Sequence, residues 1–355
     1  MLKVRATATA SDDKPANVVS IAYTGRSPTF LADTAFQALL QQWLNANLSD
    51  FDHVFATVNI DRTADAGAFQ WMQPTDVAYA YSDLGTPGDG ALGVLCMTKK
   101  RPPTGLTQQL SGAIIPALQR AGFAIAKERL LAELLLPAMP HLFPGSAPTD
   151  YALSSTGEAI VAAAGNTVSF TVKTAATANT RAKTYQAKVV DLQLTVESAE
   201  MKLSVTTETV ISPGIRAYCK TQDFLGLHLV DKPDGTQTLG YFDSRPATND
   251  HWTEKDEGLE ITEDILGAIA LALAALATVG TGGALIGVAA LIVGLVVGVM
   301  FLTTTLIEDV HRDDAPSIDS LMLNGTTAVT WPDSKDFRLA SVELSDSLHL
   351  GGALA

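Results

Sequence analysis

The chain has 355 residues, of which 47% are hydrophobic and 17% charged, so it can bury a large core and is not a disordered chain. Its formal net charge of -14 argues against nucleic-acid binding, because that function relies on lysine and arginine to neutralise phosphate. The same charge disfavours electrostatic docking on an anionic membrane. The opening residues, MLKVRATATASDD, contain no apolar signal core. This predicts synthesis in the cytoplasm and, for any release, an unconventional route.

Residues 1–145 are predicted to form an N-terminal α/β portion. Alternation of apolar residues predicts its strands, and apolar residues at helical spacing predict its helices. The main elements, in chain order, are strands over Leu2–Thr9 and Asn17–Tyr23, then helices over Ala32–Asn47, Gln108–Gln119 (broken by Pro116) and Glu128–Leu136. A loop rich in proline and glycine follows and gives the predicted boundary, although one continuous elongated domain is also open.

Residues 146–355 are predicted to form an antiparallel sheet with a helical insertion. Short strands with one apolar face and intervening turn residues are typical of such sheets. The predicted strands are Thr167–Lys173, Val189–Val196, Glu200–Val210, Ile215–Thr221, Gly226–Val230, Thr236–Phe242, Ser320–Trp331 and Phe337–Leu344.

Between these strands, Ile265 to Ile307 carries no charged side chain. Because each buried methylene is worth about 0.8 kcal/mol, something must cover this stretch. We predict an apolar helical hairpin over 262–308, beginning after Thr262 as a cap and turning near Thr278–Gly283, where threonine and glycine disfavour a helix interior.

The second half of this hairpin is long enough to span a bilayer, but its flanks are mainly acidic, whereas membrane hairpins have basic flanks and aromatic anchors. We therefore expect a hairpin buried in the fold, with membrane contact open but no constitutive span. One helical face of the second half carries small residues, and the opposite face carries bulky ones. The bulky residues are the predicted lipid-binding side chains Leu285, Ile292, Val296 and Met300.

The chain shows no motif for catalysis, for a metal or for a cofactor. Its histidines are not at metal-ligand spacing, and it has neither a CxxC pair nor a GxSxG nucleophile motif. The basic cluster Lys99–Arg101 is most simply a solvated loop, with contact to a lipid head group as the alternative. We therefore predict a protein that is not an enzyme.

Several segments resemble the clostridial P-forty-seven (P47) and OrfX-type accessory proteins of botulinum neurotoxin gene clusters. The resemblance runs from about Val18 to Val310. It is carried by residues 50–81, LGVLCMTKKRP, LLAELLLPAMPHLFPG, ISPGI, DKPDGTQTL and GLEITEDILG.

This resemblance implies the tubular lipid-binding (TULIP) fold, an elongated α+β fold in which a highly curved antiparallel sheet wraps around long apolar helices. The pattern of the residues predicts the same arrangement. Three functions follow as hypotheses. The protein binds a lipid, a fatty acid or another hydrophobic ligand; or it fills its own interior and binds a protein from the same gene cluster; or it inserts Ile265–Ile307 into a membrane when triggered, for example by acid.

Overall fold

A computed structural model describes most of the chain. The described residues are 2–7, 17–23, 30–47, 57–58, 70–85, 89–141, 143, 145–174, 181–231, 237–282, 329–330 and 337–354.

Most of the described residues lie in strands. In chain order these are β1 (Leu2–Thr7), β2 (Asn17–Tyr23), β3 (Thr57–Val58), β4 (Pro74–Asp83), β5 (Gly90–Thr98), β6 (Ala121–Ala126), β7 (Tyr151–Leu153), β8 (Ala159–Ala162), β9 (Ser169–Lys173), β10 (Thr184–Glu197), β11 (Glu200–Ser212), β12 (Ile215–Asp231), β13 (Gln237–Lys255), β14 (Val329–Thr330), β15 (Phe337–Leu344) and β16 (Ser347–Leu354).

The α-helices of the described residues are α1 (Phe30–Ala46), α2 (Lys127–Arg129) and α3 (Glu263–Gly282). A π-helix over Leu130–Leu135 and a 3-10 helix over Leu136–His141 continue from α2. Shorter 3-10 turns cover Gln70–Met72, Gly112–Ile114 and Pro148–Asp150.

The central feature is a sheet in the order β13-β12-β11-β10-β8-β7, with β9 also paired to β10. Every pairing that is resolved within it is antiparallel, which confirms the prediction for the second part of the chain. The chain also forms a smaller sheet in the order β15-β16-β6 and the hairpins β1-β2 and β4-β5. The antiparallel part of the predicted α+β fold is therefore confirmed. The wrapping of a sheet around long apolar helices stays a prediction.

The chain divides by its internal contacts into a unit of residues 1–57 and a unit of residues 58–355. In the first unit, β1 and β2 form a hairpin and α1 follows, as predicted from residues 2–47. The larger unit holds the main sheet, the smaller sheet and α3. The predicted boundary at residue 145, and the one-domain alternative, stay predictions.

The main core cluster lies between the two sheets of the larger unit. Residues from β10, β11 and β12 meet residues from β15 and β16 there, and the leucines of the π-helix fill the space between them. Leu130, Leu131, Leu134 and Leu135 are all fully buried. The predicted helix over Glu128–Leu136 is thus confirmed in position, although its middle is a π-helix.

The predicted helix over Gln108–Gln119 is wrong, because only Gly112–Ile114 forms a 3-10 turn. Pro116 cannot donate a backbone hydrogen bond, which prevents a regular helix there. This segment instead lies close over β6, where a side chain at Gly122 would collide with the Ile114 carbonyl oxygen. Tertiary packing on a glycine has replaced helix formation.

Two hairpin turns of the larger unit are joined tip to tip. The Ser198 amide donates to Asp346 Oδ1 at 2.8 Å, and the Asp346 amide donates to the Ser198 carbonyl oxygen at 2.9 Å. Ser198 lies in the turn between β10 and β11, and Asp346 lies in the turn between β15 and β16. Each has a positive φ, which brings its amide towards the other turn. The pair ties the main sheet to the smaller sheet.

Replacing Asp346 by alanine is expected to lower the free energy of unfolding by about 1 kcal/mol, because one hydrogen bond is lost and alanine disfavours a positive φ. Urea denaturation measures the change. Asp346→Asn is the matched control, since asparagine keeps the acceptor oxygen and tolerates positive φ. Equal losses in the two variants would contradict a role for the side-chain acceptor.

Candidate functional site

The predicted lipid-binding residues Leu285, Ile292, Val296 and Met300 lie outside the described residues. The described part of the predicted hairpin over 262–308 is α3. The site described below therefore consists of α3 and of the sheet face on which α3 packs.

α3 begins at Glu263, directly after the predicted cap Thr262, and the Leu266 amide donates to the Thr262 carbonyl oxygen at 2.9 Å. The helix continues to Gly282, so the predicted turn at Thr278–Gly283 is wrong for the residues up to Gly282. Glycine costs only about 1 kcal/mol in a helix. Continuing the helix satisfies the backbone groups of an apolar segment, which outweighs that cost.

α3 packs on the face of the main sheet that also carries the core cluster, called the core face here. Ile269 of α3 joins Ile215 and Ala217 of β12 in a second buried cluster. Leu273 contacts both this cluster and the main core. The start of the apolar stretch is thus covered by the chain's own sheet.

Small side chains form a row across three neighbouring strands, and α3 packs on the β12 end of this row. Ala187 on β10 lies opposite Thr209 on β11, and Thr209 lies opposite Ala217 on β12, so the three form one row on the core face. Each is fully buried, as is Ala272 of α3. We call Ala187, Thr209 and Ala217 the small-residue row.

From β10 to β12, the buried side chains of the core face change from entirely apolar to partly polar. On β8 and β10 its buried residues are apolar, whereas on β11 and β12 they include hydroxyl, thiol and carboxyl groups. We call this group the polar band. Its members are Thr207, Thr209, Cys219, Thr221 and Asp223.

The hydrogen bonds of the polar band are incomplete. Thr207 Oγ1 donates to the Cys219 carbonyl oxygen at 3.3 Å, and Thr221 Oγ1 donates to Asn249 Oδ1 on β13 at 2.9 Å. The buried Thr209 Oγ1 has no hydrogen-bond partner. Burying a hydroxyl without a partner costs about 1–3 kcal/mol, so the Thr209 hydroxyl lowers the stability of the fold.

Asp223 is the charged group of the band. It lies opposite Leu203 of β11, and its exposed fraction is only 4%. Burial, with a smaller contribution from the charge of Asp243, raises the pKa of Asp223 to about 7. A carboxyl group with a pKa near neutrality can hold or release a proton at physiological pH.

The basic cluster Lys99–Arg101 is largely occupied by contacts within the fold. Lys99 Nζ lies 2.8 Å from Glu133 Oε2, and an Arg101 guanidinium nitrogen lies 3.0 Å from Glu128 Oε2. Two of its three charges therefore already face carboxylates, which weakens the alternative of a lipid head-group site.

In the part of the chain that the structure describes, no three histidine, cysteine, aspartate or glutamate side chains come together as a metal site. Within the same residues, no helix has both the length and the apolar character needed to cross a bilayer.

Sequence reasoning missed the polar band. Its signal was present, because polar residues replace apolar ones at every second position on two successive predicted strands. Those positions are 207 and 209 on the first predicted strand and 219 and 221 on the second, and position 223 follows two residues after the second ends. The neighbouring positions 206, 208, 220 and 222 are polar too, so alternation alone did not reveal which face is buried.

Comparison with known proteins places this fold in a family. A family model described as OrfX-like, for the proteins OrfX2, OrfX3 and P47, matches residues 2–352. Protein OrfX3 of Paraclostridium bifermentans is 31% identical over 329 residues, which cover 90% of this chain and 66% of that protein. Protein OrfX3 of Clostridium botulinum (strain Kyoto, type A2) is 31% identical over 331 residues, with the same coverage. The chain therefore spans about two thirds of the length of these relatives.

Two solved structures share the fold. P47 of Clostridium botulinum A2 has a TM-score of 0.52 and 16% identity, covering 99% of this chain and 77% of that one. P47 of Clostridium botulinum E1 has a TM-score of 0.55 and 14% identity, covering 100% of this chain and 79% of that one. Since the family model matches almost the whole chain, this protein belongs to the OrfX-like family of OrfX2, OrfX3 and P47 proteins.

Proposed function

We propose that this protein is a non-enzymatic lipid- or hydrophobic-ligand-binding protein of the TULIP type, accessory to a toxin or insecticidal gene cluster. The observation that carries the proposal is the uncharged stretch Ile265–Ile307, whose first helix packs on the core face of a long antiparallel sheet. Such an apolar interior suits an acyl chain. Membership of the OrfX-like family supports the accessory role.

Organic extraction of the purified native protein, followed by mass spectrometry, tests the proposal. We expect a lipid, a fatty acid or another apolar compound in a fixed ratio to protein. An extract without such a compound, from a protein that is stable and monodisperse, would contradict the proposal.

A second candidate is an accessory protein that fills its own interior and binds a partner protein of the same gene cluster. The cover that the sheet gives to Ala268, Ile269 and Ala272 favours it, because this part of the stretch needs no ligand. Under this alternative the extract is empty, and a neighbouring gene product co-purifies with the protein.

A charged substitution on the bulky helical face, which carries Leu285, Ile292, Val296 and Met300, distinguishes the two candidate functions. Under the proposed function, Val296→Arg abolishes ligand recovery and leaves a folded chain, because a long side chain can reach solvent along an open groove. Circular dichroism measures folding, and extraction measures the ligand. Val296→Leu is the matched control and keeps the ligand. An unfolded Val296→Arg protein would favour the self-filled alternative, since an unpaired charge in a packed interior unfolds a protein.

A further inference from the structure

β13 lies at one end of the main sheet, and among the described strands it pairs with β12 alone. An edge strand of this kind directs unpaired backbone amides and carbonyls away from the sheet, where another extended chain can bind them. From Thr248 to Lys255, every side chain except that of Thr253 is exposed. We call residues 248–255 the edge segment.

The edge segment lacks the features that usually prevent the addition of a strand. Proline, lysine, β-bulges and short length are the common protections of an edge. The register between β12 and β13 shifts near Pro246, but from Thr248 to Lys255 it runs without a shift. Lys255 itself is directed elsewhere, since its Nζ donates to the Leu259 carbonyl oxygen at 2.8 Å. The edge segment is therefore a long and regular template for pairing.

A preorganised aromatic side chain lies in the middle of the edge segment. Trp252 is 41% exposed and stacks on Tyr218 of β12, with the ring centroids 5.1 Å apart and an angle of 6° between the ring planes. The Tyr218 hydroxyl donates to Glu208 Oε2 at 3.0 Å, which holds the tyrosine ring in place. A rigid, partly exposed tryptophan is a common centre of protein–protein contacts, because it loses little conformational entropy on binding.

Two carboxylates flank this tryptophan on the same face of the sheet. Asp250, Trp252 and Glu254 alternate along β13, so their side chains lie on the face opposite the core face. Their partners on β12 are Lys220, Tyr218 and Arg216. A strand added on the other side of β13 would meet the same three residues. Because directly opposite side chains favour opposite charges, each carboxylate is expected to select lysine or arginine there.

The charge around the edge segment is also negative on balance. Residues 248–257 contain one lysine, one histidine and four carboxylates, which are Asp250, Glu254, Asp256 and Glu257. The Arg216 guanidinium lies 3.9 Å from Asp256 Oδ1, so Glu254 shares it with a second carboxylate. A second copy of this chain is a poor occupant, since pairing Trp252 with its own copy would set Asp250 opposite Glu254. A basic segment of another protein complements the charge instead.

We propose that the edge segment binds a basic, extended segment of another protein, which adds to the main sheet as a further strand. The bound segment carries lysine or arginine at two positions four residues apart, opposite Asp250 and Glu254, with an apolar side chain midway against Trp252. This pattern is symmetric, so it suits parallel and antiparallel addition alike. The surface lies outside Ile265–Ile307, and the inference goes beyond the proposed ligand binding.

Three labelled peptides of equal length test the proposal by fluorescence anisotropy with the full chain at low ionic strength. The first is Thr-Thr-Lys-Thr-Val-Thr-Lys-Thr-Thr. The second has glutamate in place of both lysines, and the third has proline in place of the two threonines beside valine. The lysine peptide is expected to bind at least about tenfold more tightly than either control, because it alone matches both the charge and the backbone hydrogen bonds.

Each other result with these peptides would overturn the inference. Equal binding of the lysine and proline peptides would mean attraction of charge without addition of a strand. Equal binding of the lysine and glutamate peptides would remove the selection by charge. Absence of binding by all three peptides would mean that the edge segment accepts no such strand.

Variants of the chain locate the contact, and circular dichroism checks that each is folded. Asp250→Asn combined with Glu254→Gln is expected to reduce the preference for the lysine peptide over the glutamate peptide from about tenfold to less than about twofold, because the selecting carboxylates are gone. Trp252→Ala is expected to weaken binding of the lysine peptide by about fivefold through the lost apolar contact. Asp191→Asn, at an exposed position of β10 on the same sheet face, is the matched control and leaves the affinity unchanged. An unchanged preference in the double variant would overturn the inference.

Sedimentation of the chain alone tests a second copy as the occupant of the edge segment. We expect no association through this edge, because like charges would meet there. A dimer that Trp252→Ala dissociates would assign the edge segment to self-association and overturn the inference.

Discussion

Replacing Asp223 by asparagine is expected to raise the free energy of unfolding at pH 8 by about 3–4 kcal/mol. Burial raises the pKa of this carboxyl group from 3.8 to about 7. Each pKa unit corresponds to about 1.4 kcal/mol of difference between the two protonation states. At pH 8 the wild-type fold must hold an ionised carboxylate at a buried position, whereas asparagine is neutral and of nearly the same size.

The sign of the pH dependence follows from proton binding. Between pH 4 and pH 7 the folded state binds the Asp223 proton and the unfolded state has released it. Stability therefore falls as pH rises through this window. The raised pKa contributes nothing below about pH 4, where both states are protonated. The advantage of Asp223→Asn should consequently appear above pH 4, grow to about pH 7 and then stay constant.

Urea denaturation of wild type and variant at pH 4, 6 and 8 measures this profile. Asp250→Asn is the control, because this carboxyl group is exposed on β13. A loss of stability in Asp223→Asn at pH 8 would contradict the proposed cost of burying the charge. If the free energies of unfolding of wild type and Asp223→Asn differ by the same amount at every pH, the effect comes from packing rather than from ionisation.

The strands were the most predictable part of this fold. On β10, the apolar residues Val189, Leu192, Leu194 and Val196 recur at or near every second position, and the structure buries all four. The alternation shifts by one residue at a β-bulge between Val189 and Asp191. Alternation of apolar residues follows directly from the burial of one sheet face, so the antiparallel sheet was predicted correctly.

Features that depend on contacts distant in sequence were not predictable. The hydrogen bonds between Ser198 and Asp346 join residues 148 positions apart, and no local sequence pattern predicts them. The packing of Ile269 on Ala217 likewise joins two residues about fifty positions apart. The failed helix over Gln108–Gln119 has the same cause, because contact with Gly122 determines its path.

The candidate site was therefore only partly accessible from sequence. The apolar stretch was evident, since 43 consecutive residues without a charge need cover of some kind. The predicted lipid-binding residues Leu285, Ile292, Val296 and Met300 stay predictions. The polar band required the register between β11 and β12, which sets Thr209 beside Ala217 and Leu203 beside Asp223.

Replacing Ala272 by leucine is expected to lower the free energy of unfolding by about 3 kcal/mol. Ala272 is fully buried on the face of α3 that includes Ala268 and Ile269, and these residues pack on the core face. Three added carbon atoms have no space at such a position, so they force the helix and the sheet apart. The small-residue row offers no flexible side chain that could move aside.

Ala270→Leu is the matched control. Ala270 lies two residues away on the exposed side of α3, where Leu266 is also exposed. The same substitution there is expected to change stability by less than about 0.5 kcal/mol. Urea denaturation compares the two variants. Equal stability of Ala272→Leu and wild type would contradict the close packing of α3 on the small-residue row.

The same pair of variants bears on where a ligand lies. Destabilisation in Ala272→Leu alone would mean that the sheet itself covers α3 as far as Leu273, so no tail is needed on that side of the helix. Retention of extracted lipid in Ala272→Leu would support a ligand site away from this face of the helix, because the substitution loosens α3 and leaves Leu285–Met300 unchanged.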